Sequence, residues 1–278
     1  MNWQAERLHW ASILRNEHGE GTPPRTVLLV AHPDDETIGA SVLLATFPQI
    51  RVVYLTDGAP RDSKLWSADA CGSRDEYAAM RRTEVQRALS HVSIPANQVD
   101  WLGGIDQEAI LAASTLTAKF SEYLSLHGAD AVITHAYEGG HPDHDAAALI
   151  ARLAISQSSA ETLLIEMTSY HARAGRCVSG EFLHSDPSSE LVIELSEEQR
   201  LRKSQMLAAH SSQRAVLAGF GVDRERFRLA PAYDFSKPPH DGPLWYECMR
   251  WPMTGTRWRS LAALATREAQ ECNAAHSA

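Results

Sequence analysis

Thr26-Val27-Leu28-Leu29-Val30-Ala31-His32-Pro33-Asp34-Asp35-Glu36 joins an apolar run to a polar turn, and a second apolar segment, 38–47, follows directly. A short apolar run closed by a proline turn reads as a buried strand. Residues 25–31 are assigned to that strand. Residues 38–47 are assigned to an apolar helix, with Gly39 and Ala40 allowing close packing near the turn. The turn brings one imidazole and two carboxylates to a single point. About a hundred residues later the pattern returns: Ala131-Val132-Ile133-Thr134 runs into a polar turn and then His141-Pro142-Asp143-His144-Asp145.

Outward from these two units, strands are expected at 50–55, 98–102, 130–135, 162–170 and 190–195. Helices are expected at 74–91, 108–127, 142–156 and 196–220, with Pro142 and Ser196 as start signals. Residues 59–73 read as a long polar loop, and 3–15 as a short N-terminal helix followed by a loop. Strands that alternate with helices imply an α/β fold: a mostly parallel, Rossmann-like sheet with helices on both faces, in three layers. In such sheets ligands bind at the carboxyl ends of the strands, near a topological switch point, which is where both His/Asp clusters fall. No domain boundary is placed within 1–278. The tail, 221–278, carries many Trp, Pro and Arg residues. It reads as a C-terminal appendage able to close the site.

Composition narrows the function classes. The 278 residues are 44% hydrophobic and 22% charged, with a net charge of -9. No basic stripe is present, which argues against nucleic-acid binding. Cys71, Cys177, Cys248 and Cys272 lack CxxC spacing and read as reduced thiols. The first residues carry no apolar signal core. No apolar run approaches the ~18–20 residues of a membrane helix. A soluble, cytoplasmic protein is expected. No GxGxxG follows the first strand, and no GxSxG elbow occurs, so a dinucleotide site and a serine hydrolase are both disfavoured.

The paired clusters suit a hydrolytic metal site. With His32, Asp35 and His144 as ligands, two imidazoles and a carboxylate leave positions for water and substrate, as in catalytic zinc sites. Asp34 is then free as a general base. His141 faces the substrate from the other side, to stabilise an oxyanion or protonate a leaving amine. Asp143 is placed to hold a histidine tautomer. For Asp34 and Asp35 the competing role is capping of the following helix. His135 reads as structural, and His210 as a residue at the pocket mouth or facing solvent.

Ala31-His32-Pro33-Asp34-Asp35-Glu36 together with His141-Pro142-Asp143-His144 resembles the PIG-L/LmbE family of metal-dependent N-deacetylases. Supporting segments are Leu55-Thr56-Asp57-Gly58, Arg81 with Glu84, Trp101-Leu102-Gly103-Gly104 with Asp106, Tyr137-Glu138-Gly139-Gly140, and Lys203 with His210-Ser211-Ser212-Gln213. The resemblance implies a hydrolase using Zn2+, with Fe2+ or another divalent metal as alternatives. It implies removal of the N-acetyl group from a small N-acetylglucosaminyl conjugate, and a small homo-oligomer has precedent in the family. A metal-dependent amidase or conjugate hydrolase acting on a non-sugar amide or thiol adduct is the alternative. By motif, Arg81 matches a substrate-contacting arginine, or else an i,i+3 helix pair with Glu84. Asp106 matches a substrate-hydroxyl ligand, or else a turn aspartate. Some members carry a tyrosine two residues before the second-cluster histidine. Here that position is Gly139, with Tyr137 two residues earlier. Tyr246, Trp251 and Trp258 are either a sugar-stacking surface or part of a core or subunit interface.

Overall fold

A computed structural model describes residues 24–276 apart from 48, 71, 159 and 185–188. The helix expected at 3–15 lies outside the described residues. Seven strands form one sheet: β1 (Thr26–Val30), β2 (Arg51–Thr56), β3 (Val99–Gly104), β4 (Ala131–His135), β5 (Leu163–Met167), β8 (Glu190–Glu194) and β9 (Arg224–Leu229). Their spatial order is β3-β2-β1-β4-β5-β9-β8. The first five are mutually parallel; β9 runs antiparallel to β5, and β8 antiparallel to β9. β6 (Tyr170–Arg173) and β7 (Arg176–Ser179) make a separate hairpin. Its two-residue turn has positive φ at Ala174 and Gly175, the backbone that tight hairpins require.

β1 and β4 are buried along their whole length, five residues each. Strands covered on both faces read as continuous apolar runs, and both faces here are covered. One face carries α1 (Asp35–Thr46), α2 (Arg74–Ser90) and α5 (Glu197–Ala209). The other carries α3 (Ala113–His127), α4 (Pro142–Ser156) and α6 (Gly255–His276). Two apolar cores result. One packs Val42, Leu43, Val85 and Leu89 on Leu28, Val52 and Ile133. The other packs Leu116, Phe120, Leu149 and Trp258 on Val27, Leu29 and Val132.

Three expectations about the chain's course are corrected. The segment 196–220 is not one helix. α5 ends at His210 (φ -82°, ψ 59°), and a 3-10 turn (Ser211–Gln213) and a one-turn helix (Arg214–Leu217) come after it. The cause is buried bonding: the Ser212 amide and the hydroxyls of Ser211 and Ser212 all donate to the Glu84 carboxylate. The expected strand at 162–170 divides, because β5 stays in the main sheet while Tyr170 pairs with Ser179 of the hairpin. Inside the tail, 224–229 is a sheet strand, β9. Its arginines are paired with acids: Arg228 with Glu166 at 2.9 Å, Arg226 with Glu190 at 3.2 Å and Arg224 with Glu194 at 3.5 Å.

Trp258 of α6 is fully buried, and its indole N–H donates to the Pro142 carbonyl at 2.9 Å, at the start of α4. Tyr137 stacks on it at 5.2 Å. Trp258→Ala is therefore expected to cost about 3–5 kcal/mol of stability, read as a lowered urea midpoint.

Candidate metal centre

Strand order reverses at β1, which has β2 on one side and β4 on the other. Both polar turns leave the sheet there, at adjacent carboxyl ends. After β1, Asp34 occupies the N-cap position of α1 with φ 120° and ψ -27°, yet its side chain makes no capping bond. A non-glycine residue held at such a φ is strained. The strain is held by neighbours: the Asp34 amide donates to Glu36 Oε2 at 2.9 Å, and Arg81 donates to Asp34 Oδ2 at 3.0 Å and to the Pro33 carbonyl. Asp35 closes the turn, its Oδ2 accepting the His32 amide at 2.8 Å. Neither aspartate side chain is spent on capping α1.

Asp35 has His32 Nδ1 at 3.2 Å from Oδ2 and His144 Nε2 at 3.2 Å from Oδ1. The donor atoms of His32, Asp35 and His144 lie within 4.8 Å of one another, and all three residues are buried. Ligand bonds of ~2.1 Å around a tetrahedral zinc put neighbouring donors ~3.4 Å apart, so the set fits a divalent cation. The outer nitrogens agree. His32 Nε2 lies 3.2 Å from Asp143 Oδ2, and His144 Nδ1 lies 3.1 Å from the Ser169 hydroxyl. Each ring therefore has one nitrogen hydrogen-bonded and the other turned toward Asp35, the arrangement that fixes metal-binding tautomers.

His32, Asp106, His141 and Asp143 form a second convergent group. Its chemistry differs. His141 is the N-cap of α4, and its Nδ1 accepts the Asp143 amide at 3.1 Å. The neutral ring must then carry its proton on Nε2, which pairs with the Gln107 amide, 2.7 Å away, when that amide is turned so that its otherwise unpartnered oxygen accepts. Asp143 already accepts the amides of Gln107 at 2.7 Å and Ala109 at 3.0 Å besides facing His32. His141 is thus a hydrogen-bond donor at the pocket and not a lone-pair ligand.

The electrostatics follow from burial. Burial pushes Asp34 up to about 7, although Arg81 opposes it. Burial would also raise Asp35, but His144 and His135 beside it hold it well below the usual carboxylate range. Burial lowers His144 to about 3 against the pull of Asp35. Burial, with His32 and His144 nearby, keeps His141 well below its ordinary value. Asp106 stands 3.3 Å from His32 Nε2 and 3.8 Å from His141 Nε2, with its buried Oδ1 lacking a hydrogen-bond partner.

A pocket of about 150 Å³ opens over these groups. His32, Asp34, Asp35, His141 and His144 line its floor, and Arg81, Asp106 and Gln107 its side. Tyr170, Phe220 and Trp251 also line it, Trp251 standing edge-on to His141 at 4.8 Å. Of the three tail aromatics, Trp251 reaches the pocket, whereas Tyr246 and Trp258 are core residues. Tyr137 points away: it is buried, and its hydroxyl donates to the Lys237 carbonyl at 2.9 Å. Arg81 is paired with Asp34 and not with Glu84, which binds Ser211 and Ser212.

The sequence reading left four contributors aside. Gln107 sits at φ 72° on a loop, and Ser169 lies between two strands. Tyr170 comes from the hairpin. His210 is fully buried, with Nε2 3.1 Å from Glu36 Oε1, so it faces neither solvent nor the pocket mouth. A histidine four residues after an apolar helix position carries no spacing signal for such a pairing. His135, read as structural, is buried behind the site: its Nε2 accepts the Ala31 amide at 3.1 Å and lies 3.3 Å from Asp35 Oδ2, and its ring stacks on His144 at 4.0 Å.

Residues 27–155 match the family model described as PIG-L: GlcNAc-PI de-N-acetylase. That segment is a PIG-L family domain. It begins one residue into β1 and ends within α4, so it spans both His/Asp turns. The description of that family model names a de-N-acetylase, and the match ends at residue 155. Among solved structures, a deacetylase of the teicoplanin biosynthesis pathway is 16% identical with a TM-score of 0.55, covering 73% of this chain and 96% of its own. The N,N'-diacetylchitobiose deacetylase from Pyrococcus horikoshii is 17% identical with a TM-score of 0.55, covering 83% and 94%. A deacetylase of A40926 pseudoaglycone is 17% identical with a TM-score of 0.53, covering 76% and 98%. At such identities the likeness is one of fold. No curated protein sequence matches the chain.

Arg81 is almost wholly buried against Asp34. Arg81→Met would leave that carboxylate buried and unpaired. It is expected to cost about 3–5 kcal/mol, checked by urea denaturation of the metal-free protein.

Proposed function

We propose that the protein is a zinc-dependent N-deacetylase acting on an N-acetylglucosaminyl conjugate, with Fe2+ or another divalent ion as an alternative metal. The observation that carries this reading is the division of labour within one turn: Asp35 faces His32 and His144, while Asp34 is turned away from them onto Arg81. His32, Asp35 and His144 would hold the metal, which when bound supplies Lewis acidity to the acetamide carbonyl and acidifies a water. Asp34 takes the proton of the attacking water. Its buried setting favours proton uptake, and Arg81 fixes its orientation. His141 donates its Nε2 proton as a hydrogen bond to the oxygen on which charge develops. Asp143 holds the His32 ring and, through its amide, the His141 ring. The proton then passes to the departing amine from Asp34 or His141.

The pocket supports a sugar at the reacting end. Its floor is polar, Arg81, Asp106 and Gln107 offer charge and hydrogen bonds to hydroxyls, and Trp251 and Tyr170 offer ring faces. Sites that enclose a drug-sized ligand run to about 300–1,000 Å³. The smaller pocket here admits the acetamido end of a substrate and leaves the remainder of the conjugate over the mouth. No helix among the described residues is long and apolar enough to cross a membrane. A small conjugate reached from solution fits that surface.

Zinc-loaded protein is expected to release free amine from one or more N-acetylglucosaminyl conjugates in a panel that includes free N-acetylglucosamine. Asp34→Asn should lower turnover by about 10²–10⁴-fold with metal content unchanged, and His144→Ala should lose the metal itself. Turnover confined to non-sugar amides or thiol adducts would replace the sugar assignment. Full activity in Asp34→Asn would remove Asp34 from the role of base.

A further inference from the structure

α1 carries the first metal-binding turn, and it is broken. At Ala40 the backbone leaves helical values (φ -142°, ψ 21°). The first turn is pressed onto β5: a Cβ built on Gly39 would lie 2.6 Å from Met167 Sδ and 3.2 Å from the Thr168 carbonyl oxygen. In a continuous α-helix each carbonyl accepts the amide four residues on, which would join Ile38 to Val42 and Thr37 to Ser41.

Two side chains from other elements take up the groups at this break. Lys203, on α5, donates its ammonium to the Ile38 carbonyl at 2.7 Å. Glu225, on β9, accepts the Ser41 amide at 2.9 Å, the Val42 amide at 3.1 Å and the Ser41 hydroxyl at 2.5 Å. Lys203 and Glu225 meet at 2.9 Å, and their side chains are 1% and 0% exposed. The ammonium caps the carboxyl end of the first turn, and the carboxylate caps the amino end of the helical segment beyond the break.

Such a pair is a costly way to gain stability. Desolvation offsets most of the Coulomb attraction, and an apolar pair of similar volume is often as stable. An apolar pair cannot, however, hold the two ends of a broken helix apart. We propose that Lys203 and Glu225 are positioning residues for the metal centre. They keep α1 bent, so that the turn 35–38 presents Asp35 to His144 and sets Ile38 in the pocket wall. This inference rests on the metal-site reading given above.

The test compares zinc affinity with fold stability in metal-free protein. Lys203→Met/Glu225→Met replaces the pair by apolar side chains and lets Val42 bond Ile38 directly, straightening α1. Its metal-free melting temperature is expected to lie within about 4 °C of the original, the shift of roughly 1 kcal/mol. Its zinc affinity, measured by competition with a chromogenic chelator, is expected to fall about 10–100-fold, the loss seen when supports of metal ligands are removed. A double variant that melts like the original and binds zinc as tightly overturns the proposal. Should that variant not fold, Glu225→Gln keeps the shape and removes the charge; reduced zinc affinity in folded Glu225→Gln supports the proposal, and unchanged affinity overturns it. Original protein that binds no zinc, or His144→Ala that binds it equally well, would instead overturn the metal-site reading.

Discussion

Everything at the site depends on β1 and β4 lying side by side and parallel. Thr26 pairs with Ala131 and Leu28 with Ile133, so the two strands end together and discharge their polar turns into one crevice. The chain separation between His32 and His144 is then spanned by two carboxylate oxygens of one residue, Asp35. A parallel sheet fixes this register through its ladder, and its helices shield both faces. The crevice at the reversal of strand order is the one place where backbone leaves the sheet in both directions and side chains converge.

Beneath the crevice lies a layer of buried ionic contacts. Arg81 holds Asp34, His210 holds Glu36, and Lys203 with Glu225 holds the break in α1. Each connects the turn after β1 to an element far along the chain: α2, the end of α5, and β9. A buried charge without its partner would cost several kcal/mol, so each of these contacts is needed once its residues are buried. The first two bear on Asp34, through Arg81 directly and through Glu36, which accepts the Asp34 amide, and so hold it at a backbone angle that it would not adopt alone. Stability is given up locally for orientation, and the apolar cores on either face supply the balance.

The far side of the pocket is built differently. Asp143 is positioned by the amides of Gln107 and Ala109 beyond β3 and His141 by the Asp143 amide at the start of α4, and α4 itself is pinned by Trp258 through the Pro142 carbonyl. The tail thus has two roles. β9 is a strand of the main sheet, and α6 with its aromatic neighbours forms the outer wall of the second core. Trp251 is the tail's contribution to the pocket.

The α/β class, the course of β1 to β5, the helices 74–91 and 142–156 and the two His/Asp turns were legible in the sequence, because continuous apolar runs and proline turns are local signals. His32, Asp34, Asp35, His141, Asp143 and His144 were legible for the same reason. The break of 196–220 at His210 was not, since the helix pattern continues while a buried carboxylate from α2 removes its hydrogen bonds. β9 was not, since Arg224, Arg226 and Arg228 read as solvent-facing until Glu194, Glu190 and Glu166 are brought beside them. Nor was the partner of Arg81. Spacing offers it Glu84 one turn away, and only the packing of α2 against the turn after β1 gives it Asp34 instead. Sequence determined which groups stand at the strand ends. Tertiary structure decided which of them converge on Asp35, which bond backbone amides and which are held in place, because those contacts depend on burial and on partners far apart along the chain.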